Sequence, residues 1–312
     1  MMKPREKKII FASRIAIAGN AFLALLKISI GLVAGSLAVV ADGVDSASDI
    51  ITSLITLYTA YIIARPPDIK YPYGYQKADT LAAKALSFII FFAGTQLALS
   101  SFDKLTDPVT AVMPERFVLY IVGVSIIGKL LLSWYLSKTG KHVESAMLIA
   151  NARNMQNDVV ISVSVLVGLV FTFIFEMPII DTITALLVSF YIMFVAFRIF
   201  METNRELMDG VESPEIYRQI LDAVKRIKEV ANPHRIRVRK MANLYMIALD
   251  IELEGSLTLN ESHLIGEKVE QEIKDSIPNV YDVVLHIEPI GNTEPHEVFG
   301  VSESELPLEI NK

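Results

Sequence analysis

The run LAVVADGVDSASDIITSLITLYTAYIIA, from Leu37 to Ala64, decides the fold. It is long enough to cross a bilayer, which takes roughly 20 predominantly apolar residues. Yet it carries three aspartates, Asp42, Asp45 and Asp49, in its first half. Offsets of three and then four residues put all three on one stripe of an α-helix. A carboxylate at membrane depth costs at least about 2.5 kcal/mol on insertion scales, so the stripe requires a compensating partner such as a bound cation or protons. A second apolar stretch contains ANARNMQND, Ala150 to Asp158, and repeats the same offsets with Asn151, Asn154 and Asp158.

Five further apolar runs flank this one: Ile9 to Val33, Thr80 to Phe102, Phe117 to Leu136, Ala146 to Phe175 and Ile179 to Met201. Breaks between runs fall at Gly, Pro and charge, as in Arg65-Pro66-Pro67 and Met177-Pro178. The start, MMKPREKKIIFASR, has the basic opening of a signal peptide but no cleavage pattern, so a retained first span is expected. An even number of spans puts both termini on one side. That side collects Lys3, Arg5, Lys7, Lys8, Arg65, Lys70, Lys77, Lys138 and Lys141, against Lys104 and Arg116 opposite, which predicts both termini in the cytosol of a multi-pass cell-membrane protein.

Bulk composition agrees with this division. Hydrophobic side chains make up 52% of the 312 residues and the mean hydropathy is +0.44, more than a soluble chain of this length normally carries. Without cysteine, disulfides are excluded and any metal site uses oxygen and nitrogen donors. Beyond about Asn204 the pattern becomes that of a soluble domain. Helical spacing over Pro214 to Glu229, strands at His234 to Val238 and Tyr245 to Leu253, a helix over Leu264 to Ile277 and a strand at Tyr281 to Ile287 give an αββαβ, ferredoxin-like α+β order. The expected division is 1–205 for six transmembrane helices, 206–292 for the cytosolic domain and 293–312 for an acidic tail without structure.

The intramembrane residues admit two readings. Carboxylates can be neutralised within the protein, and Lys27, Lys84, Lys129 and Arg198 are each candidates to pair with one, which makes a purely structural ion-pair network one alternative. Two stripes with matching spacing on separate helices favour a cation site. Paired aspartates also serve intramembrane proteases. The spans hold no GxGD run and no Ser/His nucleophile arrangement, so no enzyme activity is expected.

With these features the chain resembles the cation diffusion facilitator family, whose second and fifth helices carry His/Asp-x-x-x-Asp pairs. The matching residues are Asp45 and Asp49 in DSASD and Asn154 and Asp158 in NMQND, and the similarity runs from the six spans through the αββαβ domain. The resemblance implies a homodimer whose membrane half moves metal outward in exchange for protons by alternating access, and whose cytosolic half resembles metallochaperones and binds regulatory metal. No nucleic-acid partner and no cofactor are expected beyond the divalent ion, which is both substrate and regulator.

Three carboxylates and a carboxamide form a hard, all-oxygen donor set suited to Mn²⁺, and no imidazole or thiolate is present to favour zinc or copper. Zinc-transporting relatives commonly have His where Asp45 or Asn154 stands, so the pattern resembles the manganese-exporting branch. Mg²⁺ dehydrates reluctantly. Exporters of Zn²⁺, Fe²⁺ or Co²⁺ remain alternatives, as does a membrane metal sensor or scaffold that transports nothing. Three carboxylates deprived of a divalent ion cannot all stay ionised in a low dielectric, so protons take its place. Asp45, Asp49 and Asp158 are thus expected as ligands and proton carriers and Asn154 as a neutral ligand. Asn20, Asp42, Asn151 and Asp68 are expected to support the ligands or line the ion's path.

Elsewhere the match is looser. The family's loop after the second helix often has a His-rich PFGHGKAE-like run, whereas this chain reads YPYGYQKAD, Tyr71 to Asp79, with Tyr71 and Tyr75 in place of histidines. Lys77 and Asp209 fall where the family places an interlocking charge pair between its two halves. NPHRIR, NESHLIG and VLHIEP supply His234, His263, His286 and Glu288, which with Asp250 are similar to the family's regulatory ligands in the cytosolic domain.

Overall fold

The computed structural model describes residues 4–63, 65–106, 112–142, 145–211, 213–241, 244–292 and 299–306. Six long helices come first: α1 (Pro4–Ala34), α2 (Leu37–Ile63), α3 (Ala78–Thr106), α4 (Val118–His142), α5 (Ala146–Ile174) and α6 (Pro178–Leu207). Among the described residues α1, α3, α4, α5 and α6 are long and apolar enough to cross a membrane. At 27 residues α2 matches them in length and differs by its three aspartates. Several helices outrun the apolar runs that announce them, because a helix satisfies its own backbone and need not stop at the edge of the lipid.

By compactness the chain divides into two units, one holding most of α1 to α6 and the other comprising Ile63–Thr80 together with everything from Glu202 onward. The α2–α3 connection therefore groups with the C-terminal part, and the division expected between residues 205 and 206 falls inside α6.

In the first unit, small residues allow close helix crossings. A Cβ on Gly43 would lie 2.9 Å from the backbone nitrogen of Ile28 and 3.1 Å from the Cβ of Lys27, so α1 and α2 approach at this point as only glycine permits. Gly35, at φ +76°, ends α1 in the left-handed region open to glycine. The start of α2 is capped from another helix: buried Asp181 of α6 accepts from Ser36 Oγ at 2.6 Å and from Leu37 N at 2.9 Å. Orphan N–H groups at a helix start must find an acceptor when no water is at hand.

The second unit has α7 (Glu215–Val224), β1 (Ala231–Met241), β2 (Leu244–Leu253), α8 (Leu259–Ser276) and β3 (Val280–Pro289). The sheet order is β1-β2-β3, with β1 antiparallel and β3 parallel to β2. Ile247, Leu249 and Ile251 of β2 join Ile220 and Val224 of α7 and Val269 and Ile273 of α8 in one buried core. Strand alternation sends Asp250 and Glu252 to the other face. A capping box between Thr258 and Glu261 starts α8 at Leu259, earlier than its apolar spacing suggests.

The tail expectation is corrected for residues 299–306. Ile236 has no register partner on β2, and its backbone exchanges two hydrogen bonds with Val301, of 3.0 and 2.9 Å. A 3-10 turn at Glu303–Glu305 follows, with Glu303 paired to Lys225 and Leu306 packed against the domain core. Acidic composition concealed two apolar anchors, Val301 and Leu306, that an open strand edge can hold. Residues 293–298 and 307–312 lie outside the described residues.

Candidate metal centre

Helical offsets do bring the two stripes together. One carboxylate oxygen each from Asp45 and Asp49 of α2 and Asp158 of α5 lie within 4.8 Å of one another. A cavity of about 90 Å³ opens beside them, lined by Asn20, Asp49, Asn151, Asn154 and Asp158 among others. Asn154 thus shares the cavity with two of the carboxylates, and Asn20 of α1 brings a third helix to it with a buried Oδ1 that has no hydrogen-bond partner among the described residues. Three carboxylates this close repel one another strongly in a low dielectric, which a doubly charged ion or protons would relieve.

Lys27 and Lys129, two of the candidate cations, meet aspartates. Lys27 of α1, wholly buried, lies 2.7 Å from Asp42 Oδ2, and Lys129 of α4, 1% exposed, lies 3.0 Å from Asp158 Oδ2. Lys84 stands over the Phe200 ring, 5.1 Å from its centroid. Asp42 is absent from the cavity lining. Its carboxylate is held by Lys27 and by Ser162 Oγ at 2.8 Å, so it ties α1, α2 and α5 together one turn from Asp45.

Asp68 requires a correction. Its Oδ1 accepts from Lys70 N at 2.8 Å and Tyr71 N at 2.9 Å, and its Oδ2 accepts from Tyr75 Oη at 2.6 Å. The Tyr75 hydrogen bond, followed by that from Tyr71 N, holds this carboxyl below the usual carboxylate range. The Tyr75 hydroxyl and the backbone amides of Lys70 and Tyr71 occupy both carboxylate oxygens, so Asp68 organises its own loop. In the same unit Asp209, itself at φ +58°, accepts from Lys77 Nζ at 2.8 Å and lies 2.9 Å from Arg239 Nε. The expected Lys77–Asp209 pair is formed, with Arg239 as a third member that the sequence did not signal.

On the polar face of the sheet a second cluster forms. His234, Asp250 and Glu288 each place one donor atom within 4.8 Å of the others. Register makes this possible: His234 pairs with Asp250, Asp250 with His286 and Glu252 with Glu288. Register shifts on both sides of His234, with Asn232 at φ +42° and Arg235 at φ +48°, bulge β1 at this position. The His234 Nδ1 sits 2.7 Å from Asn232 O, an arrangement that leaves Nε2 facing Glu288 at 3.7 Å. Asp250 is already paired with Arg235 at 2.8 Å and Arg237 at 3.4 Å. His286 lies 3.2 Å from Glu288, but His263 stands apart on α8, largely exposed beside Glu267. His263 therefore does not join the cluster within this chain, because it lies on a helix packed behind the opposite face of the sheet.

Residues 13–208 match the family described as the cation efflux transmembrane domain, and residues 213–290 match the cation efflux protein cytoplasmic domain. The manganese efflux system protein MneS of Bacillus subtilis is 28% identical over 278 residues, covering 88% of this chain and 94% of that protein. MneP of the same organism, also a manganese efflux system protein, is 26% identical over 298 residues, covering 93% and 99%. The cation-efflux pump FieF of Pectobacterium atrosepticum is 27% identical over 256 residues, covering 82% and 84%.

Proposed function

The chain belongs to the cation efflux family, and from that premise we propose that it exports divalent transition-metal ions, Mn²⁺ foremost, in exchange for protons. The observation that carries this proposal is the convergence of Asp45, Asp49 and Asp158 from two apolar helices to within 4.8 Å. With Asn154 on the adjoining cavity, the donors are all oxygen, the set a hard divalent ion prefers. The names of MneS and MneP support manganese, and FieF is named for cation efflux without a stated metal. The protein works as a homodimer by alternating access, with both termini in the cytosol as the distribution of Lys and Arg supports.

Reconstituted vesicles with a pH-sensitive dye inside test this reading. Mn²⁺ flux should move protons the opposite way and be lost in Asp49→Ala and Asp158→Ala, while Asn154→His should tilt preference toward Zn²⁺. Equal flux in the aspartate variants would rule out the site, and Zn²⁺ outcompeting Mn²⁺ in the unaltered protein would overturn the substrate.

For the cytosolic cluster the role is regulatory: metal at His234, Asp250 and Glu288 shifts the transporter's conformational equilibrium. The oriented His234 ring supports it. Calorimetry on the full chain carrying Asp49→Ala should show residual binding that His234→Ala removes; no residual binding defeats the regulatory role.

A further inference from the structure

Two buried lysines sit among the described residues of the first unit, and they are not equivalent. Lys27 is the better supplied: its ammonium, with three donors, donates to Ser162 Oγ at 2.9 Å and Ser46 Oγ at 3.4 Å and lies 2.7 Å from Asp42 Oδ2. Ser162 in turn donates to the other Asp42 oxygen, so the group closes on itself as a neutral support. Among the described residues Lys129 has only the contact to Asp158 at 3.0 Å, and its Nζ is a buried donor that makes no hydrogen bond of good geometry with them. Unmet donors in a buried ammonium are costly.

One turn before Lys129 on α4 lies Ser125, also buried, whose Oγ has no hydrogen-bond partner among the described residues either. Residues four apart on a helix are neighbours on one face. A second acceptor for the Lys129 ammonium is therefore within one helical turn, unused while Lys129 stays on Asp158. Three carboxylates beside one ammonium leave two negative charges, the complement of a divalent ion.

We propose that Lys129 is the resident cation of the transport site: it holds Asp158 until a divalent ion displaces it toward Ser125, and its charge matches the site to a double positive charge. The inference rests on the transport-site reading of Asp45, Asp49 and Asp158. As a positive charge that stays close to a ligand even when displaced, Lys129 weakens metal binding and so speeds release. Removing it trades turnover for affinity.

The test is Mn²⁺ calorimetry on the purified full-length protein, paired with vesicle flux. Lys129→Met and Lys129→Gln should each bind Mn²⁺ about tenfold tighter or more, with KM and kcat falling together. Wild-type Kd in both variants means that Lys129 merely joins α4 to α5, and the proposal fails. Where loss of the ammonium prevents folding, Ser125→Ala carries the test, because the displaced lysine then lacks its acceptor. Mn²⁺ binding weakened about threefold supports displacement, and an unchanged Kd overturns it. With His234→Ala in the background of every variant, so that the cytosolic cluster does not contribute, Asp49→Ala separates the two levels: if it keeps the parental affinity, the transport-site reading has failed, whereas loss of binding there with unaltered Lys129 variants defeats this inference alone.

Discussion

Replacing Asp42 by Asn should be among the most damaging single changes in the membrane unit. The carboxylate and the Lys27 ammonium are both wholly buried, 2.7 Å apart. The asparagine has one acceptor oxygen: turned to Ser162 it sets an amide donor against Lys27, and turned to Lys27 it offers only a neutral oxygen and loses the Ser162 hydrogen bond. An uncompensated buried charge costs about 3–5 kcal/mol. For roughly 200 residues each kcal/mol lowers Tm by about 2–4 °C, so a fall on the order of 10 °C is expected. Thermal unfolding in detergent at one fixed scan rate, read from Trp134 fluorescence, measures it. The double variant Lys27→Met with Asp42→Leu exchanges the pair for apolar groups of similar size and should recover most of the loss, since such replacements are often neutral or stabilising. A single variant within 2 °C of the parent, or a double variant as unstable as the single, would refute the view that this pair is held by mutual neutralisation.

Gly43→Ala should force α1 from α2, because the new Cβ would meet Ile28 N at 2.9 Å; a variant with parental Tm and flux would contradict the close crossing. Asp68→Asn should leave Mn²⁺ flux within about twofold, since exposed hydrogen-bonded carboxylates contribute little; loss of flux would return Asp68 to the ion's path. Glu252 is held below the usual carboxylate range by hydrogen bonds from the Asn232 side chain and Gly291 N. A depressed folded pKa gives stability that is complete above the unfolded value of about 4.3 and is lost as pH falls through the lower folded value. Hydrogen exchange at the Gly291 amide, corrected for intrinsic rates, should therefore quicken only below about pH 4, and Glu252→Gln should remove that step.

Much of the architecture is written locally. Apolar runs longer than the bilayer is thick mark the helices, and the three-then-four offsets place Asp45 and Asp49 on one helix face and Asn154 and Asp158 on another. The αββαβ order follows from periods of 3.6 and 2.0 in the last third, and even the early start of α8 was available in Thr258 and Glu261 as a capping box. Local spacing determines these features because a backbone in lipid must bond to itself, and a side chain's direction depends only on its position along that backbone.

Partner choice is decided elsewhere. Four cations were candidates for the intramembrane aspartates, and only packing shows that Lys27 takes Asp42 and Lys129 takes Asp158. That Asp181 caps α2, that Tyr75 consumes Asp68, that Val301 fills the open edge at Ile236 and that His263 misses the cluster are likewise contacts between distant residues. Short-range periodicity fixes which way a group points, but a charge buried in low dielectric is governed by whichever opposite charge the fold brings within a few ångströms. Sequence alone thus revealed the carboxylates of the candidate site, and tertiary structure supplied the ammonium groups that set their charge.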